Sequence, residues 1–428
     1  MKGSFIKATA ILMVGGFVTK LLGMVIKIII NRLIGTEGIG LYMLILPTFM
    51  LFISLSQFGF PIAISKLVAE KKRNSKRLFS SIVPISLIIN IVLMIFIICF
   101  SPFLAKNLLH EERVTLALTS IALVIPFSTL SNIIRSYFFG KNRMLPHVIS
   151  NIFEDIVRLI LIVIFIPKLK DNITSAVNFL IIVNIFSELS SILIMLLFIP
   201  KNSKIRKSDL KPSKIYLKEA LTISVPNTSS RLIASLGYFL EPIILTTFLL
   251  LSGYSKTFII REYGIITGYV LPLILLPSFF TLAISQALLP VVSLEYSKRN
   301  TKEVKRKIKE ALFFSLLIGS ICCLTLVIFP TFFLKLIYNT TLGVNYVRIL
   351  APICILQYIE APLSFAIDAM GKSTYNLKIT IISLFVRSSS LILFSLLKAG
   401  IYALIISTSI NIIVVVYLLF KYTKKCLF

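Results

Sequence analysis

Residues 8–32 read ATAILMVGGFVTKLLGMVIKIIINR, an apolar run long enough to cross a bilayer that nevertheless carries lysine at positions 20 and 27. At about 100° per residue, Thr9, Gly16, Lys20, Gly23, Lys27 and Asn31 fall within a sector of roughly 80°. Ile11, Val14, Val18, Leu22, Val25 and Ile29 take the opposite face. A lysine at the bilayer centre costs about 2.5 to 3.5 kcal/mol even on the permissive insertion scale. Lys20, near the middle of the run, therefore needs water or an anion opposite it, supplied by a polar cavity or by a structural ion pair. Lys27 lies nearer the end, where its stem can carry the amine to the interface, so it reads equally as an anchor.

The rest of the chain is of the same kind. Its 428 residues are 57% hydrophobic with a mean hydropathy of +0.96, a surface that only lipid can accommodate. The expected fold is an all-α polytopic membrane protein. Twelve apolar runs are expected to span, near 8–30, 40–64, 79–101, 114–139, 146–166, 176–199, 220–245, 264–293, 311–330, 346–370, 377–397 and 401–420. They leave no length for a soluble domain. The first run is too long for a cleaved signal peptide and has no small-x-small site before Asn31. Cys99, Cys322, Cys323, Cys354 and Cys426 are odd in number and lack a CxxC spacing, which implies neither a disulfide framework nor a metal site. No cofactor is expected.

A net charge of +28 would point to nucleic acid in a soluble protein, but its distribution points elsewhere. Alternate loops and the termini (Lys2 and Lys7, Lys66 to Arg77, Lys141 to Arg143, Lys201 to Lys218, Lys298 to Lys309, Lys372 to Lys378, Lys421 to Lys425) hold 29 basic residues, against 9 in the loops between. The positive-inside rule then places both termini in the cytoplasm, with the basic loops against anionic lipid. No nucleic-acid partner is expected.

Seven basic residues remain within spans, and their positions repeat. An offset of 211 sets Thr19-Lys20-Leu21-Leu22-Gly23 on Ser230-Arg231-Leu232-Ile233-Ala234. Beyond the seventh span the offset becomes roughly 230, pairing Leu46-Pro47-Thr48-Phe49 with Leu276-Pro277-Ser278-Phe279, Gly140-Lys141 with Gly371-Lys372, and Val157-Arg158 with Val386-Arg387. Six spans per half make parallel repeats about an axis along the membrane normal, with alternating access between two lobes. The expected lobes are 1–200 and 220–428, joined by a cytoplasmic linker at 201–219. The seventh span repeats the polar stripe of the first through Ser224, Asn227, Arg231, Ala234, Tyr238 and Glu241. Pro47 and Pro61 in the second span, and Pro272, Pro277 and Pro290 in the eighth, mark those two helices as bending elements.

Lys20-Leu21-Leu22-Gly23 followed by Ile34-Gly35-Thr36-Glu37-Gly38-Ile39-Gly40-Leu41-Tyr42 resembles the opening of stage V sporulation protein B-like polysaccharide transporters. So does Arg135-Ser136-Tyr137-Phe138-Phe139-Gly140, with Met144-Leu145-Pro146 and Asn151-Ile152-Phe153-Glu154-Asp155-Ile156-Val157-Arg158 after it. The superfamily also holds the lipid II flippase MurJ, the O-antigen flippases and the multidrug MATE exporters. The resemblance implies two six-helix lobes, a cavity lined by spans 1, 2, 7 and 8, and passage of an undecaprenyl-pyrophosphate-linked saccharide such as a lipid II-like precursor. Relatives in this branch commonly have fourteen spans, where this chain has twelve.

A pyrophosphate in a low-dielectric cleft is held by charge-assisted hydrogen bonds, so Lys20, Lys27 and Arg231 are the expected substrate-binding residues. Arg32 and Arg261, at the outer mouth, either receive the head group or anchor the interface. Glu154 and Arg158, four apart, read as an ion pair. Glu360 and Arg387 lie at matching depth, roughly 16 Å from the turn between spans 10 and 11, and read as a second. Glu241 has no partner in its own stripe and is the candidate for a coupling cation. Glu111-Glu112 reads as a solvated turn. With only His110 and His147, and no HExxH, P-loop or GxSxG, no enzyme is expected. The loop after span 2 lacks the Gly-x-x-x-Asp-Arg-x-Gly signature of major facilitators. The remaining alternative, a MATE-type cation-coupled drug exporter, calls for an acidic cavity.

Overall fold

A computed structural model describes residues 2–70, 75–141, 143–169, 171–199 and 212–427, without the side chains of 2–10, 12, 13, 226, 227, 230 and 290. Linker residues 201–211, the basic run Lys71 to Arg73, and the side chains of Thr9, Asn227 and Pro290 lie outside that description. Among the described residues there is no strand, and eleven helical segments are long and apolar enough to cross a membrane.

The difference from twelve has local causes. Helix α1 (Lys2–Gln57) runs the first two spans together, interrupted only at Gly35 (φ 66°, ψ −178°), a conformation open to glycine. Its 56 residues exceed a bilayer of about 30 Å nearly threefold at about 1.5 Å per residue, so the Gly35 kink separates two passes. Helix α5 (Met144–Phe165) carries Glu154, Asp155 and Arg158 and is too charged to count. The eighth span divides into 256–274 and 278–297. Its pieces are α8 (Lys256–Gly264), a π-helical turn (Ile265–Val270), α9 (Leu271–Ile274) and α10 (Ser278–Ser297). Pro272 opens α9 and Pro277 caps α10, where a missing N–H leaves no helical bond unmade. Pro61 likewise opens α2 (Phe60–Ala69) after the left-handed Gly59, whereas α1 continues through Pro47.

Packing divides the chain into two compact units, Met1–Phe239 and Leu240–Phe428. In the first, α4 (Thr115–Gly140) packs against α3 (Ser75–Phe103), α5 and α6 (Ile173–Leu197). Hydroxyls and amides join these helices where lipid offers no hydrogen bonds: Thr129 Oγ1 donates to Ser56 Oγ (3.1 Å) and Asn90 Oδ1 (3.3 Å), and Ser120 Oγ to Asn178 Oδ1 (2.7 Å). Gly15 of α1 meets α5 so closely that a Cβ there would lie 2.2 Å from Val148 Cγ1.

Helix α7 (Lys214–Leu251) crosses the division, later than the expected boundary at 220. Its first part packs Ala220 into the core formed by Phe60, Ile64, Leu78 and Ile82. The Ser213 N–H donates to Ser81 Oγ at 2.8 Å, and the Ser54 and Ser235 hydroxyls meet at 3.2 Å. Gly59 lies so close to this helix that a Cβ would come within 2.7 Å of the Ser224 carbonyl oxygen.

In the second unit α13 (Val344–Ala369) has the role of α4. It packs on α10, α11 (Thr301–Ile328) and α15 (Tyr402–Leu427), while α14 (Ser373–Leu396) pairs with α15. Gly319 of α11 admits the Tyr358 ring, whose hydroxyl donates to the Ile274 carbonyl. The starts of α13, α14 and α15 each fall 229 residues after those of α4, α5 and α6, matching the repeat offset in the sequence.

Candidate functional site

The glycine-lysine face of α1 lies open. Lys20 and Lys27 are exposed, two helical turns apart, and a Cβ added at Gly16 or Gly23 would meet nothing within 4 Å. Gly15, Ile26 and Ile30 form the packed face, while Val14 and Val25 are exposed on another side. Neither lysine forms an ion pair among the described residues. Asn31, expected on the open stripe, is instead 4% exposed, between the buried Ile30 and Ile34 where α1 nears the Gly35 kink.

The matching stripe on α7 is interrupted. Arg231, Ala234 and Tyr238 are exposed, and Arg231 also lacks an ion pair among the described residues. Ser224 at one end is buried beside Gly59, and Glu241 at the other is buried in the second unit. Arg32 on α1 and Arg261 on α8 are exposed.

Glu241 is not the unpartnered carboxylate that the sequence suggested. The Arg387 guanidinium of α14 ion-pairs with it, and Tyr263 is buried in its electrostatic field. The expected Glu360–Arg387 pair is corrected accordingly: Glu360 of α13 instead accepts from Gln357, one turn away on its own helix. Depth along a helix does not fix the direction of a side chain about its axis, and Arg387 is turned toward α7.

The first unit holds a larger network. Arg158 Nη2 of α5 approaches Glu154 Oε1 at 2.5 Å, and Arg158 Nη1 approaches Asp155 Oδ1 at 3.3 Å. Arg135 of α4 ion-pairs with the other Glu154 oxygen, lies 3.4 Å from Glu188 Oε2 of α6 and donates to Ser191 Oγ at 2.7 Å. Glu154 thus bridges two guanidinium groups, with Glu154 and Glu188 both buried. The sequence spacing signalled only the four-apart pair. Arg135 and Glu188 were visible as charges within spans, and nothing local joined them.

Glu111 is also corrected: it is 2% exposed, and its Oε1 accepts from Arg113 Nε at 2.8 Å. Arg113 reaches on to Glu37, just past the Gly35 kink, at 2.5 Å. Glu112 remains exposed beside Lys106. Among the described residues no group of three or more His, Cys, Asp or Glu is placed to hold a metal ion.

Eleven apolar helices, with Arg135, Arg158 and Arg387 ion-paired inside the fold and Lys20, Lys27 and Arg231 without an ion pair among the described residues, mark a multi-pass membrane protein. Its fold is that of the MATE transporters: a multidrug resistance MATE family transporter of the MOP superfamily, solved in an inward-facing conformation, superposes with a TM-score of 0.79 at 17% identity, over 96% of this chain and 94% of that one. Residues 5–294 match the family described as polysaccharide biosynthesis protein, and 266–393 match the MatE family. Stage V sporulation protein B of Bacillus subtilis (strain 168) is 31% identical over 382 residues, covering 86% of this chain and 74% of the relative. Lipid II flippase MurJ of the same organism is 23% identical over 173 residues, 37% of this chain and 32% of that one. The chain belongs to the polysaccharide biosynthesis protein family of MATE-fold membrane proteins.

Proposed function

We propose that the protein is a flippase-type transporter that moves an undecaprenyl-pyrophosphate-linked saccharide, such as a lipid II-like or polysaccharide precursor, across the bacterial cytoplasmic membrane. The observation that carries this reading is the open basic face of α1, where Lys20 and Lys27 stand exposed beside glycines with no carboxylate paired to them among the described residues. A pyrophosphate head group matches that face in charge and in hydrogen-bonding capacity. Arg231, at the equivalent repeat position, is proposed as a third contact, with Arg32 and Arg261 receiving the head group. The names of the relatives, a lipid II flippase and a polysaccharide biosynthesis family, agree with this substrate class. The lobes are proposed at 1–200 and 220–428 with both termini cytoplasmic, on the loop charge asymmetry, and the protein is proposed to act without chemistry of its own.

The alternative, a cation-coupled drug exporter, calls for an available intramembrane carboxylate. Glu241, the carboxylate expected to serve it, is engaged by Arg387, which disfavours Glu241 in that role.

The test is transport of a lipid-linked saccharide by reconstituted protein, together with mass spectrometry of the lipids that co-purify. Lys20→Ala and Arg231→Ala should each reduce lipid retention and transport by roughly tenfold to hundredfold, the loss of one contact worth about 1.5 to 3 kcal/mol. Membrane abundance should stay normal, because an exposed unpaired cation contributes little to packing. Full transport by Lys20→Ala at normal abundance would overturn the proposal.

A further inference from the structure

The charges of the network in the first unit do not balance. Glu154, Asp155 and Glu188 supply three carboxylates, against the two guanidinium groups of Arg135 and Arg158. With every carboxylate ionised, one negative charge is left uncompensated among α4, α5 and α6. The other titratable groups facing the network do not change the sum: Tyr42 of α1 faces Arg158, and a cationic His147 of α5 would stand against Arg135 rather than against a carboxylate. A carboxylate out of water and without a cation of its own is relieved by taking up a proton.

The hydrogen-bond donors single out which carboxylate that is. Glu154 has a guanidinium at each oxygen, and Asp155 has Arg158 Nη1 at 3.3 Å. Glu188 has only Arg135 Nη2, at 3.4 Å. That nitrogen carries two hydrogens, and the nearer Glu154 oxygen and Ser191 Oγ take both. The Glu188 side chain is 9% exposed and lies in the field of the Glu154 carboxylate, a like charge that opposes its ionisation. The fully buried Ser131 of α4 also faces Glu188, and its hydroxyl makes no hydrogen bond of ordinary geometry among the described residues. Its oxygen can accept from a carboxyl O–H.

We propose that Glu188 is a proton-binding site: in the folded protein it holds one proton, which it donates toward Ser131 Oγ, so that α4, α5 and α6 close around a neutral network. On release the proton passes to water and the network keeps its excess negative charge. An unfolded glutamate titrates near about 4.3, so at neutral pH the folded state holds one proton more than the unfolded state. Stability therefore falls as the pH rises and the site empties.

The experiment is infrared spectroscopy of the full-length protein in H2O and D2O, beside thermal unfolding from neutral to alkaline pH. The wild type should show a protonated-carboxyl C=O stretch that shifts in D2O. A part of it should be lost in Glu188→Gln and kept in Asp155→Asn. Glutamine is the neutral counterpart of the protonated side chain, so Glu188→Gln should melt with the wild type at neutral pH and above it at alkaline pH. Glu154→Gln, which removes a carboxylate held by two guanidinium groups, should melt lower than either at neutral pH. A carboxyl stretch unchanged in Glu188→Gln, its loss in Asp155→Asn instead, equal alkaline losses in the wild type and Glu188→Gln, or a neutral-pH melting temperature of Glu188→Gln as low as that of Glu154→Gln would each overturn the assignment.

Discussion

Glu241→Gln separates a structural ion pair from a site for a mobile cation. The Glu241 side chain is 7% exposed and that of Arg387 20%, so the substitution removes the carboxylate from a guanidinium that is largely out of water. Breaking a buried pair by removing one partner costs about 3 to 5 kcal/mol. The lower end applies here, about 3 kcal/mol, because part of Arg387 can still be solvated. For a unit of this size each kcal/mol shifts the melting temperature by about 2 to 4 °C, so Glu241→Gln should melt roughly 6 to 12 °C lower. Glu241→Gln/Arg387→Gln removes both charges and should recover most of that loss, returning to within about 1 kcal/mol of the wild type. The assay is thermal unfolding of the purified protein beside transport in proteoliposomes, on the two single variants and the double. Wild-type melting by Glu241→Gln with abolished transport, and no recovery in the double variant, would refute the ion-pair account and restore Glu241 as a cation site.

In the first unit Glu154 serves two guanidinium groups and Asp155 one, so Glu154→Gln should destabilise by about 3 to 5 kcal/mol and Asp155→Asn by less, since Arg158 then keeps Glu154 as its partner; denaturation of the two variants side by side checks the ranking. The charge asymmetry of the loops predicts that, in a background without the native cysteines, Lys302→Cys is shielded from an impermeant thiol reagent in intact cells while Asp171→Cys reacts, and labelling of Lys302→Cys from outside would reverse the orientation.

Much of the fold was legible because hydropathy and helix length are one-dimensional signals. The 229-residue interval between α4 and α13, α5 and α14, and α6 and α15 appears in the sequence as Val157-Arg158 and Val386-Arg387. Gly35 was less legible as a junction, since one residue with a positive φ divides two passes that otherwise continue as a single helix. Ion pairing was the least legible. Neighbour rules find Glu154 and Arg158 because they share a helix. Arg135 and Glu188 meet through the packing of three helices, and Glu241 and Arg387 across 146 positions of sequence. Matching depth suggested Glu360 for Arg387, but depth fixes only one of the two coordinates of a side chain on a helix, and the other is set by tertiary packing.

The internal repeat separates the intramembrane cations into two kinds. Arg158 and Arg387 occupy equivalent positions and are both neutralised within their own unit, the first by acids on its own helix and the second by Glu241 of α7. The repeat therefore places the guanidinium, and its carboxylate comes from whichever helix faces it. Lys20 and Arg231 also occupy equivalent positions, and neither has such a carboxylate among the described residues. A lysine or arginine that faced hydrocarbon near the bilayer centre would cost about 2.5 to 3.5 kcal/mol, so each of the two calls for water or an anion opposite it. The fold neutralises Arg135, Arg158 and Arg387, so an absence of available acids does not explain why Lys20 and Arg231 are left open. Under the proposed function the compensation comes from outside the chain: an anionic head group would supply it only while bound, the differential interaction that a carrier of such a substrate requires.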